Sequence, residues 1–113
     1  RTALEMLESG LVLFMDRESV RGFDARLRPL FNHPLERSEG HASFDGNRGM
    51  VITTWRNSRG EGEMLLMDEG GDLFFRHAFA GESFIDGSMS GPFIFLRGSD
   101  RLYCYSLSRP ANP

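Results

Sequence analysis

The 113-residue chain contains no lysine and no glutamine, and all 13 of its basic residues are arginine. A GC-rich genome that favours arginine codons accounts for this bias without any selected guanidinium surface. The net charge is −3 and 26% of the residues are charged. These values belong to an ordinary globular surface, so they exclude a disordered chain and speak against nucleic acid as a partner. With one cysteine, Cys104, the chain can form neither an intrachain disulfide nor a multi-cysteine zinc site. The longest uninterrupted apolar run is Leu11 to Met15, far short of the roughly 20 residues a helix needs to cross a bilayer. No basic and apolar leader precedes it, and membrane insertion is not expected. The chain opens on Arg1 rather than Met, which reads as an excised, processed or incomplete chain. No Asn-x-Ser/Thr sequon occurs. Between apolar runs there is no stretch long enough for a crossover helix, which excludes parallel βαβ architecture and leaves an antiparallel all-β chain.

What is present is a recurrence. A glycine followed by an apolar run appears at Gly10-Leu11-Val12-Leu13-Phe14, at Gly49-Met50-Val51-Ile52 and at Gly91-Pro92-Phe93-Ile94-Phe95, in steps of 39 and 42 residues. Ser43-Phe44-Asp45-Gly46 returns as Ser83-Phe84-Ile85-Asp86-Gly87, with Asp and Gly both repeating at 41. The repeated Asp-Gly is read as a repeated turn, because Asp and Gly are what a tight turn needs. Residues 2 to 9 suit two turns of helix, with Thr2 as N-cap, Glu5 three residues on and Gly10 as the stop. An outer strand is the alternative for that segment, with helix slightly preferred. Beyond Gly10 about nine short strands are expected. They include Leu11 to Met15, a run from Val20 that Pro29 interrupts, Met50 to Trp55, Met64 to Met67, Leu73 to Phe79, Glu82 to Ile85, Phe93 to Leu96 and Leu102 to Leu107. Residues 32 to 40 read as a connection and Ser108 to Pro113 as a frayed tail. The whole of 1–113 is taken as one β-repeat domain or as part of a larger one.

Laid over one another, Leu13–Asp24, Leu66–His77 and Phe95–Ser106 share one plan of strand, polar turn and aromatic strand. This resembles the β-propeller repeats of the quinoprotein-like and WD-like kinds, whose blades each occupy about 40 to 45 residues. The resemblance implies antiparallel, blade-like repeats and two to three blades of a propeller. A small β-sandwich or barrel is the alternative. The Trp-Asp and Gly-His pairs of WD repeats and the Gly-Lys-x-x-Trp ending of quinoprotein repeats are absent, so the resemblance carries over a scaffold and no cofactor. Closed propellers typically need four or more blades. A partner protein, the remainder of a larger chain or a second copy is therefore expected to complete the fold.

Few residues suggest chemistry. His33, His41 and His77 match no metal-ligand spacing, and no metal site is expected from them. Asp68, Glu69 and Asp72 around Gly70-Gly71 lack the Asp-x-Asp-x-Asp-Gly pattern of a calcium loop and read as a turn. Gly87-Ser88-Met89-Ser90-Gly91 places no serine at the third position required of a nucleophile elbow, and is read as a loop. Cys104, between Tyr103 and Tyr105, is expected to be a buried, inert thiol. Charge is uneven along the chain: residues 17–59 hold eight arginines against five acids, and residues 60–113 hold four against eight. Arg48, Arg56 and Arg59, with Trp55 among them, make the one candidate binding surface, suited to phosphates, carboxylates or a protein. The competing reading puts Trp55 in the core. The functional expectation is a non-enzymatic, propeller-like module for protein or ligand recognition within a larger chain or complex. Second comes a self-contained sandwich or barrel whose ten phenylalanines and six methionines line a small-ligand pocket. A propeller-based enzyme comes last.

Overall fold

The computed structural model describes residues 3–107. Their chain forms eleven strands and the turns between them: β1 (Ala3–Met6), β2 (Val12–Met15), β3 (Ser19–Phe23), β4 (Pro29–Pro34), β5 (Arg37–Asn47), β6 (Met50–Asn57), β7 (Gly62–Asp68), β8 (Leu73–Phe79), β9 (Asp86–Ser90), β10 (Phe93–Arg97) and β11 (Leu102–Ser106). Each strand pairs antiparallel with its sequence neighbour, giving three meanders: β1-β2-β3-β4, β5-β6-β7-β8 and β9-β10-β11. None of the sheets is closed; each ends in two edge strands.

Side-chain alternation decides how the sheets stack. In β6, Val51 and Trp55 point to one face and Ile52 to the other, and all three are buried. Burial on both faces means that the second sheet is covered on both sides. Its first face meets Leu11, Leu13, Met15 and Val20 of the first sheet in one apolar cluster, which also holds Leu35, Leu65 and Met67. Its second face, with Ile52, Met64, Leu66 and Phe79, meets Met89, Ile94 and Leu96 of the third sheet in another.

The three recurring glycines occupy corresponding places, the turns β1–β2, β5–β6 and β9–β10. Gly10, Gly49 and Gly91 have φ of 95°, 76° and 54° there, a left-handed backbone that glycine adopts without steric cost. Longer turns use an Asx device. Asp16, Asp24, Asn57 and Asp68 each accept two main-chain amides of their own turn through Oδ1. The Asp68 turn is the one expected around Gly70-Gly71.

Several sequence expectations are corrected. The segment preferred as a helix contains an edge strand, β1, which finds its hydrogen bonds on β2. Pro29 and Pro34 bound a strand instead of interrupting one, as edge position allows: β4 lies at the rim of its sheet and, among the described residues, pairs with β3 alone. Most of the expected connection over 32 to 40 belongs to β4 and β5, whereas Glu82 to Ile85 is not a strand. Asp45-Gly46 and Asp86-Gly87 lie within β5 and β9, so the repeated Asp-Gly is not a turn, and Gly87 to Ser90 is strand instead of loop. The three overlaid segments are not equivalent in the fold, since Leu66–His77 spans the third and fourth strands of its sheet, β7 and β8, while the other two span second and third strands. Cys104 is exposed on the edge strand β11. The tail from Ser108 to Pro113 lies outside the described residues.

Candidate functional site

The four residues expected to form a binding surface do not come together. Arg48 is the first residue of the two-residue β5–β6 turn, exposed, with φ 55°. Arg56 and Arg59 sit at the far end of β6, about 23 Å away along an eight-residue strand. Trp55 is 1% exposed and belongs to the apolar cluster between the first two sheets, so it is core and no stacking platform. Its Nε1 has no hydrogen-bond partner among the described residues. The Arg76 guanidinium lies 5.5 Å from the centre of its ring.

Around Arg59 there is a polar cleft of about 490 Å³, lined by Leu35, Asn57, Ser58, Glu63 and Arg76 among others. Both of its arginines already have a carboxylate partner, and Glu36 accepts from Ser58 Oγ at 3.0 Å. Glu63 is buried and accepts from Arg76 Nε at 2.5 Å and Asn57 Nδ2 at 3.0 Å, and Arg59 Nε donates to Glu61 at 3.1 Å. An anion entering here would compete with the carboxylates that already hold both arginines, one of them desolvated.

A second cleft, of about 520 Å³, is apolar and lies between the outer strands of the second and third sheets. Met50, Met64, Leu66 and Ile94 form its floor, and Phe74, Phe75 and Tyr105 its walls. The Phe75 and Tyr105 rings are 6.3 Å apart across it. Phe74 is 60% exposed and Phe75 43%. Such a patch of large apolar surface marks an interaction site more often than solvent-facing ornament. The sequence carries one trace of it: Leu73-Phe74-Phe75 puts apolar residues at three consecutive strand positions, where alternation requires at least one to face outward.

A third group lies on the inner strands. Ser43 Oγ donates to Asp86 Oδ1 at 2.9 Å, and His41 Nε2 lies 3.2 Å from the same oxygen. Ser43 Oγ is also 2.7 Å from Thr54 Oγ1. The serine hydroxyl therefore bonds to the carboxylate and not to the imidazole, and the set does not have the nucleophile–base–orienter order of a hydrolytic triad. Its role is to join sheets. Asp45 Oδ2 accepts from Met89 N at 2.7 Å and Asn47 Nδ2 donates to Gly91 O at 3.0 Å, continuing the same seam.

Glu82 fastens the seam's other end. It is buried and accepts from Tyr103 Oη at 2.7 Å and from Ser99 N and Oγ at 3.2 and 3.0 Å. The Tyr103 hydroxyl, helped by Ser99 and opposed by burial, holds the Glu82 carboxyl below its usual range, and the same bond raises the Tyr103 phenol. Of the other histidines, His33 Nε2 donates to Gly71 O at 2.6 Å and His77 is exposed, its ring flanked by Phe75 and Phe79. Among the described residues no three His, Cys, Asp or Glu side chains gather as a metal ion would need. No family model, curated protein or solved structure matches the chain.

Proposed function

We propose that the chain is a non-enzymatic recognition module, built as a propeller-like stack of β-meanders, that takes an apolar side chain of a protein partner into the cleft between β8 and β11. The observation that carries this is the cleft itself. It has methionine on its floor, which adapts to irregular shapes, and aromatic walls of the kind that anchor protein interfaces. The polar cleft is a weaker candidate because its arginines already have carboxylate partners. Support for the propeller-like arrangement comes from the order of the strands. Each meander starts with the strand nearest its neighbours, and β5 lies against both β1 and β9. The chain measures 42 × 39 × 22 Å. The short dimension is about that of a six-residue strand, roughly 20 Å, and the two long ones suit sheets that fan out in a plane.

A peptide library displayed on phage and selected against the chain tests this reading. Peptides with aromatic or aliphatic anchors should bind the wild type and lose at least tenfold in affinity on Phe74→Asp. Selected peptides that bind both proteins equally would place recognition elsewhere.

A second reading, a small apolar ligand in the same cleft, is favoured by one feature: 520 Å³ lies within the span of small-molecule sites. A fluorescent apolar dye that binds the wild type with one-to-one stoichiometry, when no selected peptide does, would favour it.

A further inference from the structure

The three sheets stack by one rule, and the rule leaves two faces over. Let the face that looks toward the next sheet be the front. In the first sheet the front carries Leu11, Leu13 and Met15; in the second it carries Met50, Ile52, Met64 and Leu66. The backs that receive them carry Val51, Trp55, Leu65 and Met67 in the second sheet, and Met89, Ile94 and Leu96 in the third. The two-residue turns fix the correspondence. Asn47 pairs with Met50 across one and Ser90 with Phe93 across the other, so Phe93 and Phe95 stand where Met50 and Ile52 stand. By the same count from the β1–β2 hairpin, where Leu7 N bonds Leu11 O, Leu4 stands where Phe44 does and Phe14 where Thr53 does.

The front of the third sheet therefore presents Phe93, Phe95 and Leu102 with no sheet of the described residues upon it, and these are 43%, 44% and 81% exposed. The back of the first sheet presents Leu4 and Met6, 69% and 67% exposed, beside Phe14. These are apolar residues in positions whose counterparts are covered. Met50 packs against the second cluster, Phe44 against the first, and Ile52 and Thr53 are buried.

We infer that the two free faces are the two halves of one interface, and that a second copy of this chain occupies them head to tail, front of the third sheet on back of the first. The partner is identified by continuity: the molecule already makes this front-on-back contact twice, with the same kind of side chain at the same strand positions. One front and one back remain, so the association is heterologous, and a heterologous contact between bodies that fan in a plane closes a ring when the rotation allows. The inference rests on the propeller-like reading of the stack. It does not involve the β8–β11 cleft, which lies at the outer rim, so the two fail separately.

Light scattering coupled to size exclusion on the 113-residue chain tests it, with Phe95→Glu on one face and Met6→Glu on the other. The wild type should run at a multiple of its 12.8 kDa monomer mass, and each variant alone should fall to the monomer. Leu102→Glu and Leu4→Glu, at still more exposed positions, should act in the same way, with far-UV circular dichroism confirming that each variant is folded. A wild type that stays monomeric up to several hundred micromolar overturns the inference. So does loss of assembly in the variants of one face only, because that pattern belongs to an isologous contact between like faces.

Discussion

The second sheet meets the first through side chains that are almost all aliphatic or aromatic, and meets the third through an apolar cluster bordered by a polar seam. On the first side, Trp55 and Leu65 of the second sheet lie against Leu13 and Met15. Among the described residues, inter-sheet hydrogen bonds there include Ser9 with Glu69, His33 with Gly71, Arg76 with Pro34 and the Arg37 amide with the Arg17 carbonyl, all at the margins. On the other side Asp45, Asn47 and Ser43 reach from β5 to β9, and Glu82 ties Ser99 and Tyr103. Apolar contact is strong but indifferent to small shifts, whereas a carboxylate accepting one particular amide fixes where two sheets meet. The first interface is accordingly the main source of cohesion, and the second the main source of register.

The comparison can be broken most directly at Trp55. Trp55→Ala empties the largest fully buried side chain in the first cluster and should cost about 3–5 kcal/mol in urea unfolding, a large part of the stability of a domain this size. A loss under 1 kcal/mol would mean that the interface is not closed. On the other side, Asp45→Ala removes the acceptor for the Met89 amide and should cost about 1–3 kcal/mol. Its distinguishing sign is faster hydrogen exchange at Met89, with the amides of β2 unaffected.

Acid should act on the second interface first. Glu82 has a folded pKa below the ordinary value of 4.5, so its contribution is fully present above that value and is lost as pH falls through the lower, folded one. Tyr103→Phe takes away the largest cause of the shift. It should flatten the acid limb of a stability-versus-pH curve measured between pH 6 and 2, and an unchanged limb would contradict the assignment. The smallest effect is expected at Arg48, which holds a left-handed conformation in its turn. Arg48→Asn should stabilise by about 1 kcal/mol, since asparagine tolerates that region better. A loss instead would mean that the guanidinium makes a contact of its own.

The antiparallel all-β class is legible in the sequence because no run between apolar segments is long enough for a helix. The recurring glycines are legible too, since positive φ at Gly10, Gly49 and Gly91 leaves few alternatives. What misleads is chemistry with two uses. Asp45-Gly46 has turn composition, yet its carboxylate bonds to a strand 44 residues away, and local pattern carries no record of a partner at that distance. Thr2, Glu5 and Gly10 imitate helix caps, but a segment this short has little helical stability of its own and pairing with β2 prevails. Trp55 is hard to place because β6 is buried on both faces, which removes the polar alternation that would show which way it points. The β8–β11 cleft is assembled from residues of five strands, and only the triple run Leu73-Phe74-Phe75 hints at it.

Residue-resolved amide hydrogen exchange tests most directly the claim that the second sheet is the covered, central layer. The account predicts that the amides of β6 and β7, from Val51 to Trp55 and from Met64 to Met67, are the slowest to exchange, and that those of the edge strands β4 and β11 are among the fastest. Equal protection in β6 and β11 would contradict it.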